Sequence, residues 1–164
     1  MKKFIIILIV AVAAIYLVHS QLKGIFYRAI SQETLVGVIR CSTPTEKKYD
    51  FYLFYFPVKD GQLSDFRLLK LKGREWIFEG EIIKWKKPLN FLGLHTLQRP
   101  AKIYDGQGNC LSLEEKYGKS AFALKRLLPL IDTAYRSLVK QYCSTKIKFG
   151  IFATNTGYLV RKIK

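Results

Sequence analysis

Residues Phe4–Val18, FIIILIVAVAAIYLV, run for fifteen positions without a charge. Such a segment has no stable place on the surface of a water-soluble body, so it fixes how the rest of the chain is arranged. Lys2 and Lys3 precede it, and the polar run His19-Ser20-Gln21 closes it. As a helix it is about 22 Å long at 1.5 Å per residue, against roughly 30 Å for a hydrocarbon core. Leu22 can carry the helix on into the interface, with Tyr16 and Lys23 as anchors. The sequence therefore predicts a transmembrane anchor over 1–22, whose lipid-facing residues are Phe4, Ile5, Ile6, Ile7, Leu8, Ile9, Val10, Ile15, Tyr16, Leu17 and Val18. A signal peptide cut after Ser20 is the competing reading, since Lys2-Lys3 is a valid basic start and Val18-His19-Ser20 ends on a small residue. Bulky Ile15, Tyr16 and Leu17 crowd that cleavage site, and the chain is taken as retained. Lys2 and Lys3 before the span and Lys23 and Arg28 after it differ little in charge; a short basic N-terminus favours the external side for the remainder, and the very basic domain argues mildly the other way.

After the anchor, 23–32 is expected as a juxtamembrane helix, with Leu22, Ile25, Phe26, Ala29 and Ile30 on one face. Residues 33–164 are expected as a single basic domain, long enough for its own core without metal or disulfides. The period changes to two from Glu33. Strands are expected at Thr34–Cys41, at Tyr49–Phe56 (ended by Pro57), at Phe66–Lys72 and at Glu75–Trp85. Tyr49–Phe56 is apolar on both faces beyond Asp50, the pattern of a strand covered twice. Gly73-Arg74 is short enough to join the next two strands as a hairpin. Gly80 in mid-strand suggests a bulge or the close approach of another backbone.

Lys86–Thr96 reads as a loop with one helical turn, and Ala101–Asp105 as a short strand. Gly106-Gln107-Gly108-Asn109 has neither the spacing nor the Lys-Ser/Thr of a phosphate loop, and reads as a turn. Ser112 with Glu115 makes a capping box for a helix over 112–128. Leu124, Leu127, Leu128 and Ile131 form its apolar stripe, and Pro129 kinks or restarts it. That helix either runs on to Tyr142 or gives way to a strand at Ser137–Tyr142. Lys146–Ala153 and Tyr158–Ile163 form a closing hairpin about Asn155-Thr156-Gly157. The fold class is α+β: an N-terminal transmembrane helix, then a mainly antiparallel sheet of six or seven strands with a helical segment packed on one face.

The net charge is +16, unevenly placed. From Lys116 to Lys164 there are eleven Lys or Arg and one acid, Asp132. On an anchored protein the nearest polyanion is the headgroup layer, so membrane lipids are the expected partner, with a protein partner in the membrane as a second. Anchoring argues against nucleic acid. The three cysteines, Cys41, Cys110 and Cys143, show no zinc spacing and are an odd number; they are read as buried free thiols, with one bridge and one free thiol as the alternative.

Glu79–Asp105, EGEIIKWKKPLNFLGLHTLQRPAKIYD, carries Lys84-Trp85, Leu92-Gly93-Leu94 and Arg99 at the positions of a recurrent pattern. Leu130-Ile131-Asp132 with Tyr135, and Thr156-Gly157-Tyr158-Leu159, extend it. The chain thereby resembles an uncharacterised family of small bacterial membrane-anchored proteins that often carry the label "cation/multidrug efflux pump" or "multidrug transporter". It departs from that pattern at Gln98, Pro100 and Arg136. The resemblance implies a bacterial inner-membrane, single-pass protein. The pump label does not follow physically, because one short span cannot enclose a polar path, and a transport role would be that of an accessory subunit.

No catalytic, cofactor-binding or metal-ligating residue is assigned. Glu79 and Glu81 share a strand face roughly 6.5–7 Å apart, close enough for paired-carboxylate chemistry. Lys84, Lys86 and Lys87 beside them favour a solvated, charge-balanced face. His95 is the domain's one histidine. The candidate anionic-ligand contacts are Lys84, Trp85, Lys86, Lys87 and Arg99, a basic–aromatic knot suited to headgroups. The alternative is that Trp85 closes the core and the lysines are solvated. The resulting expectation is a membrane-anchored, non-catalytic accessory or interaction protein. An envelope enzyme or ligand binder built on the loop around Arg99 and His95 is the alternative.

Overall fold

The computed structural model describes residues 2–25, 28–30, 33–59, 61–91, 94–113, 129 and 131–163. It opens with helix α1, Lys2–Ile25, of 24 residues. Phe4–Val10, Tyr16 and Leu17 on it are all exposed, Phe4 by 75%. Among the described residues no helix is long and apolar enough to cross a membrane. The described remainder is mainly antiparallel strand: β1 (Arg28–Ile30), β2 (Thr34–Ser42), β3 (Phe51–Lys59), β4 (Gln62–Leu63), β5 (Arg67–Leu71), β6 (Glu75–Trp85), β7 (Thr96–Tyr104), β8 (Cys110–Ser112), β9 (Ile131–Tyr142), β10 (Lys148–Thr154) and β11 (Gly157–Ile163). A single turn of helix, α2 (Lys87–Phe91), follows β6.

The strands form two sheets rather than one. The first runs β1-β7-β6-β9 with β8 beside β7; the second runs β11-β10-β2-β3-β4 with β5 also on β3. They share one core, to which Trp76, Phe78, Ile82 and Ile103 come from the first sheet and Ile39, Leu53, Tyr55, Phe149 and Ile151 from the second. This is the two-layer solution for sheets that each have an apolar face to bury.

Several expectations are corrected here. Residues 28–30 of the expected juxtamembrane helix are strand, paired with Thr96–Gln98 of β7. Residues 131–142 are strand, so the kinked-helix reading fails there; alternating Tyr135, Ser137, Val139 and Gln141 fit a pleat, and β6 offers a matching edge from Glu75 to Trp85. The part of the expected helix over 114–128 lies outside the described residues, and Ser112 is the last residue of β8.

Pro57 does not end β3. It sits between the β5 pairing, which stops at Tyr55, and the β4 pairing, which starts at Val58, where no N–H is called for. Its carbonyl accepts the Ser64 N–H at 2.8 Å. Strands β5 and β6 do not make a hairpin, because they lie in different sheets. The Gly73 corner between them has φ 94°. Asp50 Oδ2 accepts its N–H, and Asp105 Oδ2 accepts the Lys72 N–H at 2.9 Å. These two carboxylates hold the crossing from one sheet to the other. Strand β7 starts five residues earlier than expected, and Pro100 is accommodated where the β6–β7 register shifts between Glu79 and Gly80.

The free-thiol reading fails for two of the three cysteines, and the alternative of one bridge with one free thiol holds. Cys41 on β2 and Cys143 after β9 form a disulfide across 102 residues, and Cys110 is free and exposed. The spacing gave no hint of this, because the bond joins the two sheets rather than neighbouring turns.

Candidate functional site

Strands β6 and β7 carry most of the residues singled out from the sequence. On β6, Trp76, Phe78 and Ile82 turn into the shared core, and Gly80 completes that face. A Cβ on Gly80 would overlap the Tyr158 ring, so this position has to be glycine while the ring lies there. Tyr158 packs edge-on to Phe78, 4.9 Å between centroids, and its hydroxyl donates to Gln98 Oε1 at 2.5 Å. Of the two expectations for Gly80, the bulge is present, and the close approach is by a side chain rather than a backbone.

The alternate residues Glu79, Glu81, Ile83 and Trp85 point the other way. Glu81 and Arg99 are register partners across β6 and β7, and Arg99 Nη2 lies 2.8 Å from Glu81 Oε2. Both are buried, with Arg99 only 3% exposed. Glu79 is buried too, with Lys102 Nζ at 3.2 Å and Arg136 Nη1 at 3.3 Å. The expected solvated acidic face is thus corrected: the carboxylates are covered, and each is neutralised by cations from the neighbouring strands. A buried carboxylate needs such a partner, since an uncompensated charge there would cost several kcal/mol.

The basic–aromatic knot does not converge. Trp85 is buried, and its Nε1–H donates to the His95 carbonyl at 3.0 Å, which ties the end of β6 to the loop before β7. Lys84 lies 5.5 Å from the centre of the Tyr135 ring. Lys86 and Lys87 are exposed, as is His95. Arg99 is turned toward Glu81. Of the five candidate contacts, the three lysines are open to a ligand, while Trp85 and Arg99 are interior groups. Leu92 and Gly93 of the connecting loop lie outside the described residues. Cys41 and Cys143, held in their disulfide, offer no thiol as a nucleophile. Among the described residues there is no group of three or more His, Cys, Asp or Glu placed to hold a metal.

Sequence reasoning missed a different place. At the β2–β10 end of the second sheet, Arg40, Cys41, Thr145, Lys146, Ile147 and Lys148 line an open depression of about 200 Å³ beside the disulfide. The β10–β2 pairing ends at Phe149–Ile39, and Lys148 and Arg40 are the next residues along the two strands. The alternation of Lys146 and Lys148 with Ile147 and Phe149 was visible in the sequence; the arrival of Arg40 from more than a hundred residues away was not.

One carboxylate outside these strands is strongly held. Burial alone would push the Asp105 carboxyl up. The N–H groups of Lys72, Gln107 and Asn109 and the Asn109 side-chain amide outweigh burial and hold it below the usual 3.8. Asp105 thus organises the Gly106–Asn109 turn and the sheet crossing at once.

Comparison with known protein families, characterised proteins and solved structures finds no match for this chain.

Proposed function

We propose that this chain is a membrane-tethered, non-catalytic accessory protein whose basic domain works at an anionic surface on the oxidising side of the membrane. The observation that carries the reading is α1, on which Phe4–Val10, Tyr16 and Leu17 stay exposed while the domain behind it buries its own core. At about 1.5 Å per residue the 24-residue helix is about 36 Å long, although its uncharged apolar part is shorter than a hydrocarbon core. Local thinning of the bilayer and flanking lysines that reach the headgroups make up such a difference at modest cost. The Cys41–Cys143 disulfide favours an oxidising compartment over a reducing cytosol. On the side of chemistry, the acids with the greatest burial on the first sheet are neutralised by Arg99, Lys102 and Arg136. This favours binding over acid–base work.

Cys110 gives the test, being the exposed free thiol. In intact cells an impermeant thiol reagent should label it, and the full chain should stay with membranes through an alkaline wash. Labelling only after the cells are opened would place the domain on the other side. Release by the wash, or a mature product beginning at Gln21, would remove the tether.

A further inference from the structure

We infer that the outward face of the six-stranded sheet is a lipid-docking face, on which aromatic rings meet the acyl boundary and the Arg40–Lys148 depression takes a headgroup phosphate. The inference rests on α1 holding the chain at a membrane, and it adds which face of the domain turns toward that membrane.

Strand β3 supplies the first observation. Its residues alternate, with Leu53 and Tyr55 facing the core and Phe54 and Phe56 facing out. In an antiparallel sandwich the outward positions are ordinarily polar. Here they are rings. Phe66 lies over both, at 5.4 Å from Phe54 and 5.8 Å from Phe56, and is itself 54% exposed. Leu68, the register partner of Phe54, is 40% exposed. Further across the same face, Phe152 and Leu159 pair outward on β10 and β11. Among the described residues, the first sheet covers the side of β3 that carries Leu53 and Tyr55.

Charge supplies the second observation. Arg40 stands over the Phe56 ring at 5.8 Å, and Arg161 over Phe152 at 5.6 Å. Arg40, Lys146 and Lys148 line the depression of about 200 Å³ together with Thr145, and an anion held there would be neutralised by them. The acids near this face sit at its margins: Glu33 pairs with Arg161 and Glu46 with Lys70, while Asp65 adjoins Phe66 in the chain. Rings among cations, on a chain with an apolar N-terminal helix, are the chemistry of an interface-lying surface. A second copy of this chain would bring the same cations against themselves.

The experiment uses the full chain with Cys110→Ser, reconstituted in vesicles of phosphatidylcholine and phosphatidylglycerol that carry a lipid-borne quencher. An environment-sensitive fluorophore is placed in turn through Leu68→Cys, Leu138→Cys on the outward face of the other sheet, and Ala11→Cys in α1. Quenching and a blue shift at position 68, with none at 138, are expected. Phosphatidylcholine alone should weaken both. Arg40→Gln with Lys148→Gln should weaken docking roughly twenty-five-fold, about five-fold per cation. An unchanged thermal melt and an intact disulfide in that variant show that the fold is kept. Quenching at position 11 without quenching at 68 overturns the docking face and leaves the tether standing. No quenching at 11 overturns the tether itself. Self-quenching at position 68 that grows with protein density, without the lipid quencher, shows a second copy on the face and overturns the proposal.

Discussion

Asp105 is a single carboxylate that accepts hydrogen bonds from three backbone N–H groups and one side-chain amide. Its carboxyl is held below the ordinary 3.8, so its stabilisation is complete above that value. It drains away as the pH falls below 3.8 toward the folded-state pKa. Asp105→Asn should cost about 1–3 kcal/mol near neutral pH. Denaturation of wild type and variant from about pH 5 to about pH 2 should show the gap between them closing as the acid side is approached. Gly80 sets a second residue-scale condition. Gly80→Ala should cost about 1–3 kcal/mol from overlap with the Tyr158 ring. The same change should cost less in a Tyr158→Ala background, a coupling that urea melts of the four proteins would measure. Arg99, expected from its sequence neighbours to touch a ligand, should act on stability instead. Arg99→Ala should cost about 3–5 kcal/mol by leaving Glu81 buried and charged. Replacing both by leucine should cost less, and neither change should shift vesicle binding of the folded protein.

At the scale of elements, the disulfide ties β2 to the segment after β9 across 102 residues. Cross-linking so long a loop should contribute roughly 4–5 kcal/mol by restricting the unfolded chain. Cys41→Ser with Cys143→Ser should lower the denaturation midpoint accordingly. A thiol count on the denatured wild type should give one before reduction and three after. The elements most legible in the sequence were those with their own period. Thr34–Cys41, Glu75–Trp85 and the closing hairpin alternate so plainly that β2, β6, β10 and β11 fall where expected. What was hidden depends on partners. Residues 131–142 offer apolar positions at both helical and strand spacing, and the edge of β6 decides between them. The Gly73 corner reads locally as a hairpin, and only Asp50 and Asp105, from elsewhere in the chain, send it to the other sheet. The same limit governs the site. Lys84, Lys86 and Lys87 were legible as surface cations, but the burial of Arg99 against Glu81 and the approach of Arg40 to Lys148 are tertiary facts.

At the scale of the molecule, the net charge of +16 makes attraction to anionic vesicles depend on salt. Docking of the domain should weaken from low to high ionic strength, while α1 should keep the chain in the membrane throughout. Fluorescence at position 68 and flotation of the whole chain would separate the two. The second sheet also imposes an order of assembly. Strand β2, formed near the start of the chain, has β10 as the neighbour on one of its sides. Until the ribosome has delivered residues 148–154, that side of β2 is a bare row of amide and carbonyl groups beside an apolar strand. A chain stalled or clipped after Tyr142 would therefore be sticky rather than merely shorter, and would call for an escort until β10 arrives.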